Sequence, residues 1–225
     1  MKSMSFVDPN QFVITRRRKK YKFALFNNSP LCFEYDEWMP RSIDVLEVGA
    51  GTGLFSVELA ARHPEQQFLA VDVKADRLQK GARPAEQRGL RNIWFVRARA
   101  DQLGELCEAG SLSQLWVTFP DPFPRQRSSG RRLTHPHFLT QYAKLLAEGG
   151  ELLLKHDDHG FFCWSLEQLV VAGWQLRELT FDLHESERLN EESDARIMTT
   201  YEQRWVGEGK VIGFVRAGKS VSRAS

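Results

Sequence analysis

A stiff turn that carries one carboxylate stands in the middle of the chain. Residues 119–124 read Phe-Pro-Asp-Pro-Phe-Pro and directly follow the apolar run 115–118. Each proline fixes its own φ and holds the residue before it in extended geometry. Asp121 is thereby fixed at a strand end with arginines just beyond it, an arrangement suited to handling a nucleotide. The turn alone also allows a proline-rich surface loop whose acid is merely solvated.

A glycine loop is the second feature that could do chemistry. Gly49, Gly51 and Gly53 form a GxGxG turn that follows a strand pattern and opens a helical one. Glycines at such a turn allow positive φ and let a ligand approach the backbone closely. Asp72 ends the next strand pattern, at about the distance downstream where an acid bonds ribose hydroxyls in dinucleotide sites. Loop and acid together predict a nucleotide-type cofactor.

The position of Glu47 decides between two cofactor classes. Nicotinamide sites normally use GxGxxG, with the pyrophosphate on the helix N-terminus. Glu47 lies two residues before Gly49, where an acid would repel a pyrophosphate. S-adenosylmethionine carries a sulfonium and an α-amino group and no phosphate, so we favour it. The alternative is a tight structural turn with a solvated Asp72.

Short apolar runs alternate with helical spacing from residue 43 onward. This order predicts an α/β fold, with a mostly parallel, doubly wound sheet of about seven strands and helices on both faces. Ligands bind at the carboxyl ends of such strands, where both motifs fall. The strand patterns cover residues 43–48, 68–73, 93–97, 115–119, 151–156, 174–181 and 211–215, and the helical ones cover 54–62, 75–88, 103–108, 136–147 and 161–172.

Composition narrows the class of protein. The chain has 225 residues and a net charge of +2, no run long enough to span a membrane and no signal-peptide pattern. Its three cysteines are widely spaced, which indicates free thiols in a reducing, cytoplasmic compartment and no zinc site. The basic residues cluster in two blocks, which favours a polyanionic partner over a merely solvated arm. The blocks are Arg16, Arg17, Arg18, Lys19, Lys20 and Lys22, and Arg125, Arg127, Arg131 and Arg132.

With these motifs together, the chain resembles bacterial tRNA (guanine-N7-)-methyltransferases over roughly residues 43–216. The family carries Phe-Pro-Asp-Pro-Trp, then basic residues, then Arg-Arg-Leu, where this chain has residues 119–133. Thr-Thr-Tyr-Glu at 199–202 matches the family's Thr-x-(Phe/Tyr)-Glu, and Lys-His-Asp at 155–157 stands where the family has an aspartate after threonine. The departures are Asp72 for glutamate, Phe123 for tryptophan, Arg99 for an acid, Arg125 for lysine and residues 128–130 for a histidine and lysine stretch.

The resemblance implies a Rossmann-like class I methyltransferase fold and roles for individual residues. Residues 1–40 would be a basic arm or cap, 41–218 the methyltransferase domain and 219–225 a disordered tail. Asp121 would be the central catalytic acid and would also contact the cofactor. The cofactor would otherwise be bound by Glu47, Gly49, Gly51, Gly53, Asp72 and Asp101. The target guanosine would be bound by Arg125, Asp157, Thr199 and Glu202, and the RNA backbone by Arg16, Arg17, Arg18, Lys19, Lys20, Arg127, Arg131 and Arg132.

Some of these residues also have purely structural readings. Thr199 and Glu202 have capping-box spacing and would then only begin a helix. Asp157 would be a buried strand-end acid without a ligand. The histidines at 156 and 159 flank two aspartates, but one such cluster does not make a metal site.

The leading hypothesis is therefore an S-adenosylmethionine-dependent enzyme that forms N7-methylguanosine in tRNA, as a monomer or homodimer. Guanine N7 already carries an in-plane lone pair, so attack needs no general base, and a carboxylate near the ring would stabilise the cationic product. Two alternatives stay open. One is a methyltransferase of the same fold with another RNA or a small metabolite as acceptor, and the other is a non-catalytic RNA-binding paralog.

Overall fold

The computed structural model describes residues 6–12, 17–187 and 189–219, with residues 17–19 as backbone only. The chain divides into two compact units, residues 1–108 and 109–225. Arg16 and the tail beyond residue 219 lie outside the described residues, as do the side chains of Arg17, Arg18 and Lys19. In the described part, no helix has the length and apolar character needed to cross a bilayer.

The first unit is a parallel sheet with helices. Its strands run in the order β1-β4-β3-β2, and every neighbouring pair is parallel. The interior of the sheet reads as nearly continuous apolar sequence, as expected where helices cover both faces. The elements are α1 (Arg17–Asn28), β1 (Cys32–Glu34), β2 (Val45–Val48), α2 (Leu54–Arg62), β3 (Phe68–Asp72), α3 (Ala75–Gln87), β4 (Ile93–Arg97) and α4 (Leu103–Leu106).

The second unit mixes parallel and antiparallel pairing. Its strands run in the order β5-β6-β8-β7, with β5 and β6 parallel and β8 antiparallel to both of its neighbours. The elements are β5 (Leu112–Thr118), α5 (Pro136–Leu145), β6 (Leu146–His156), α6 (His159–Val171), β7 (Trp174–Thr180), α7 (Thr200–Gly207) and β8 (Gly213–Lys219).

Several elements differ from the sequence expectation. The helix predicted to reach residue 147 ends at Leu145, and the chain enters β6 at once, because Leu146 pairs with Leu112 of β5, next to an irregularity in the register. The segment before residue 40, which has no clear periodicity, contributes α1 and β1, and β1 pairs with β4. The described residues thus hold eight strands where seven were predicted. The domain boundary at residue 40 stays a prediction.

Candidate functional site

The glycine loop joins β2 to α2 in a conformation that needs glycine. Gly49, Gly51 and Gly53 have φ values of 70°, 57° and 69°, in the left-handed region. A Cβ on Gly53 would also lie 2.6 Å from Cε1 of Phe95 on β4. Nothing lies within 4 Å of the place where a Cβ on Gly51 would stand. The backbone at Gly51 is therefore open to a ligand.

Asp72, at the end of β3, holds this loop through hydrogen bonds to backbone N–H groups. Its Oδ2 accepts the Gly51 N–H at 2.9 Å and its Oδ1 accepts the Lys74 N–H at 2.8 Å. Burial raises the pKa of the Asp72 carboxyl, while these two hydrogen bonds and the nearby cations Arg77 and Lys74 oppose that shift. Each carboxylate oxygen has a second lone pair and can accept one more hydrogen bond, as a ribose diol requires.

Glu47 is a buried acid near the carboxyl end of β2, directly before the loop. Its side chain is 1% exposed, and its Oε2 accepts a hydrogen bond from the Ser56 hydroxyl of α2 at 2.5 Å. A carboxylate at this depth keeps its charge only when hydrogen bonded. Glu47 therefore places a carboxyl group, held by Ser56, where a cationic or amino-bearing ligand would be favoured.

Asp101 is exposed and already has a partner. Arg99 Nε donates to Asp101 Oδ1 at 2.8 Å, and Arg99 Nη2 contacts the other carboxylate oxygen. By the resemblance, Arg99 stands where the family carries an acid. In this chain Arg99 forms an ion pair with Asp101. The cofactor role of Asp101 stays a prediction, and it would require Arg99 to share the carboxylate.

Gly81 in α3 supports the glycine loop, a role that the sequence analysis did not assign. A Cβ at this position would lie 2.2 Å from the Thr52 carbonyl oxygen and 3.0 Å from Phe95 Cε1. The helix α3 can thus lie directly against the glycine loop only because residue 81 has no side chain. A glycine in the middle of an otherwise amphipathic helix was the available signal.

The Phe-Pro-Asp-Pro-Phe turn follows β5 and holds strained backbone at both ends. Phe119 and Phe123 have φ values of 47° and 40°, and they are the two non-glycine residues with positive φ among those described. Both precede a proline, so the extended geometry expected there from the sequence is wrong at these two positions. Aromatic residues adopt this region only when their surroundings enforce it. The turn is therefore over-determined by contacts from the rest of the second unit.

Three groups supply those contacts. The Phe119 N–H donates to the Lys155 carbonyl at 2.9 Å, and His156 Nε2 donates to the Pro120 carbonyl at 2.8 Å. Arg132 donates to the carbonyls of Pro122 and Phe123 at 3.0 and 3.1 Å. Three of the turn's carbonyls are thus bonded, one from β6 and two from the arginine segment.

His156 is buried and holds the turn as a neutral ring. Its Nδ1 accepts the Asp158 N–H at 2.8 Å, which leaves Nε2 as the donor to Pro120. Burial lowers the pKa of His156, with its hydrogen bond to Pro120 and the charges of Asp157 and Asp158 acting the other way. The family's threonine at this position lacks an imidazole's reach, and sequence reasoning had not given His156 this role.

Asp121 itself points outward from the turn. Its side chain is exposed and makes no hydrogen bond or ion pair with any residue in the described ranges. A carboxylate without a protein partner, on a turn held by its neighbours, can accept hydrogen bonds from a ligand. This is the placement that the sequence predicts for a substrate-orienting acid.

The arginines after the turn fall into two kinds. Arg125, Arg127 and Arg131 are exposed, and Arg131 lies over the Phe123 ring at 4.5 Å. Arg132 is only 8% exposed and lies over the Trp164 ring at 4.3 Å. Because Arg132 is used within the turn, we assign it to positioning rather than to the RNA backbone. Of the N-terminal block, Lys20 is half-buried in α1.

Glu202 is buried within α7, in a charge cluster. Its Oε2 accepts from Lys155 Nζ at 2.7 Å and its Oε1 contacts His184 Nε2 at 3.0 Å, with the Lys155 and Glu202 side chains both 0% exposed. Thr199 caps α7, and its hydroxyl accepts the Glu202 N–H at 3.3 Å. The capping reading of Thr199 is therefore confirmed, and its binding role and that of Glu202 stay predictions.

Asp157 connects the end of β6 to the loop after α7. Its Oδ2 accepts from Lys210 Nζ at 2.7 Å, and Lys210 also lies 3.4 Å from the centre of the Trp205 ring. The hydrogen bond to Asp157 raises the pKa of Lys210. One part of the second unit thus holds Asp157, Glu202 and the turn that carries Asp121.

In the described ranges, no three His, Cys, Asp or Glu side chains converge as metal ligands would.

Sequence comparison finds a family model and relatives that match most of this chain. A sequence-family model described as "Putative methyltransferase" matches residues 41–214. The tRNA (guanine-N(7)-)-methyltransferase of Brevibacillus brevis is 37% identical over 201 residues, which cover 87% of this chain and 91% of that protein. The enzyme of the same name from Lachnoclostridium phytofermentans is 30% identical, with 93% and 92% covered.

Solved structures show the same fold at lower sequence identity. The 16S rRNA methyltransferase KamB aligns with a TM-score of 0.59 at 20% identity, over 80% of this chain and 88% of its own. The antibiotic-resistance methyltransferase Kmr aligns with a TM-score of 0.54 at 20% identity, over 81% and 89%. The predicted Rossmann-like class I methyltransferase fold is confirmed. By the extent of these matches, the chain belongs to the tRNA (guanine-N(7)-)-methyltransferase family.

Proposed function

We propose that this protein transfers a methyl group from S-adenosylmethionine to N7 of a guanine in tRNA. The observation that carries the proposal is the turn at residues 119–123, where a strained backbone held by four hydrogen bonds presents the exposed Asp121. Family membership supplies the reaction class, and the turn supplies a group suited to the acceptor.

The donor set of the first unit fits S-adenosylmethionine. Glu47 offers a held carboxyl group, and the open backbone at Gly51 gives a ligand close approach. Asp72 can still accept two hydrogen bonds from a ribose. Glu47 does not suit a pyrophosphate, because an acid at this position would repel it. When bound, the cofactor supplies an electrophilic methyl group on a sulfonium.

The residues of the second unit would hold the base. N7 attacks with its own lone pair, so the enzyme must orient the ring and stabilise the positive charge that develops on it. We assign Asp121 to both tasks, since its carboxylate is exposed and unpaired within the described part of the chain. Arg125, Asp157, Thr199 and Glu202 would complete the guanosine site, the last through the helix end that it anchors.

The exposed arginines would bind the RNA backbone. Arg125, Arg127 and Arg131 present unburied guanidinium groups on the segment that follows the turn. Clustered cations of this kind bind phosphates without reading sequence, so recognition would rest mainly on RNA shape. The same role for Arg16, Arg17, Arg18, Lys19 and Lys20 stays a prediction, as does a cytoplasmic location.

Nucleoside mass spectrometry tests the proposal directly. Purified protein is incubated with labelled S-adenosylmethionine and unmodified tRNA, and the RNA is digested to nucleosides. The expected product is labelled 7-methylguanosine. A labelled nucleoside of another kind would point to a different acceptor atom, and transfer to metabolites but not to tRNA would favour the same-fold alternative. Cofactor binding without any transfer to these acceptors would contradict the proposal.

A further inference from the structure

An exposed aromatic ring stands beside the turn that carries Asp121. Tyr201 lies in the first turn of α7 and its side chain is 53% exposed. Its ring centroid is 5.8 Å from that of Phe119, the first residue of the turn, and 5.3 Å from that of Trp205. Its exposure alone is ordinary, and its place beside the turn is what distinguishes it from the other exposed aromatic residues.

Two aromatic neighbours, Phe119 and Trp205, contact the Tyr201 ring, and neither stacks parallel to it. The planes of Tyr201 and Phe119 meet at 61°, and those of Tyr201 and Trp205 meet at 81°. Both contacts are edge-type, so neither neighbour lies parallel against a face of the Tyr201 ring. The remaining exposure of the ring is consistent with a face left open to a planar ligand.

The surroundings of Tyr201 are the residues already assigned to the guanosine. Phe119 precedes Asp121 by two positions, and the Trp205 ring holds Lys210, which pairs with Asp157. Thr199 and Glu202 flank Tyr201 in the same helix turn. The open ring therefore lies among the polar groups that would bond the edges of a base, and it can contact the face of that base.

We propose that Tyr201 is the stacking platform for the acceptor guanine, an inference that rests on the proposed function. Enzymes that act on a base commonly take it out of its stack, and an aromatic side chain replaces that stacking at low entropic cost. Methylation at N7 makes the ring cationic, and a tyrosine face attracts a cation. The platform thus favours the product-like ring over the neutral substrate ring.

The test is steady-state methyl transfer to unmodified tRNA by three full-length variants. Tyr201→Phe keeps the ring, Tyr201→Leu keeps apolar packing against Phe119 without a π face, and Phe181→Leu is the control. Phe181 is a comparably exposed aromatic (48%) that contacts His159 and Phe162. Melting temperature and S-adenosylmethionine affinity are measured for each variant.

Stacking predicts that Tyr201→Leu lowers kcat by about 5- to 100-fold, the range that base–aromatic stacking supplies. The KM for tRNA should change less than about 3-fold, because phosphate contacts dominate RNA affinity. Tyr201→Phe and Phe181→Leu should stay within about 2-fold of wild type, and cofactor affinity should not change.

Three results would overturn the inference. A fully active Tyr201→Leu variant would show that the ring only packs against Phe119. A Tyr201→Phe variant as weak as Tyr201→Leu would assign the role to the hydroxyl. A Tyr201→Leu variant with lowered melting temperature and cofactor affinity would make the residue structural. Wild-type protein that methylates no tRNA guanine would contradict the proposed function itself, and this inference would fail with it.

Discussion

The residues around Asp121 show how a single carboxylate is prepared for a ligand. His156 and Arg132 bond three carbonyls of the turn, while the exposed Asp121 carboxylate has no partner among the described residues and can accept from a substrate. Phe119 and Phe123 hold backbone conformations that cost free energy in isolation. That cost is offset by hydrogen bonds from groups that the sequence separates by up to 36 positions.

His156 should make stability depend on pH near neutrality. Its pKa in the fold is lowered by burial, so the unfolded chain takes up a proton first as the pH falls below about 6.5. Stability is therefore complete above that pH and is lost as the pH falls toward the lower folded pKa. Denaturant unfolding at pH 7.5 and 5.5 should show this loss in wild type and a smaller loss in His156→Gln.

Comparing wild type with His156→Gln isolates the contribution of His156 to the pH dependence of stability. The other five histidines are present in both proteins, and their contribution cancels in the difference. Lys210, Asp157 and Asp158 lie near the imidazole and are present in both proteins. Equal losses in wild type and in His156→Gln would contradict the assignment of a neutral, turn-holding ring.

At the scale of elements, two packing constraints bring functional segments together. The helix α3 lies on the glycine loop because residue 81 has no side chain, and α7 is anchored to β6 by the buried pair of Lys155 and Glu202. Neither constraint touches a ligand. Each fixes the place of a segment that we expect to touch one.

Gly81→Ala should destabilise the protein although alanine favours helices. The new Cβ would meet the Thr52 carbonyl at 2.2 Å, and overpacking of this kind costs about 1–3 kcal/mol, more than the roughly 1 kcal/mol gained in helix propensity. Affinity for S-adenosylmethionine should fall as well. In the matched control Gly207→Ala, in α7, nothing lies within 4 Å of the new Cβ, so stability should hold or rise. Equal effects of the two substitutions would refute the packing argument.

Glu202→Gln should cost about 3–5 kcal/mol of folding free energy. The change leaves the Lys155 ammonium fully buried without its carboxylate, and an unpaired buried charge is strongly destabilising. Adding Lys155→Met removes that charge, so the double variant should be more stable than Glu202→Gln alone. Chemical unfolding of the three proteins measures the coupling. A strictly additive double variant would mean that the two groups do not interact.

At the scale of the whole molecule, RNA binding should depend on salt in proportion to the exposed cations. Arg127→Ala removes an exposed guanidinium, so the slope of log K for tRNA against log salt should fall by about 1 unit with melting unchanged. Arg132→Ala should instead lower the melting temperature, because it removes two hydrogen bonds from the turn. If both variants change the slope alike and melt alike, the two arginines do not differ as described.

Sequence alone predicted the α/β order, the glycine loop and an acid at the end of β3, because these follow from local periodicity and from the residue types that tight turns demand. It did not predict that Glu202 pairs with Lys155 or that His156 holds Pro120, since such contacts join positions far apart in the chain. Strand β1 was missed for a related reason. It has three residues, too few to show a period, and it is specified by its pairing with β4.

The most direct test of the account compares 7-methylguanosine formation in tRNA by wild type, Asp121→Asn and the control Asp36→Asn, which alters an exposed aspartate of the first unit. Asparagine keeps the shape of the side chain and removes the charge that would stabilise the methylated ring. We predict that Asp121→Asn forms the product on the order of 100-fold more slowly, with S-adenosylmethionine affinity within about 3-fold of wild type. Wild-type rates from Asp121→Asn would contradict the role of this carboxylate.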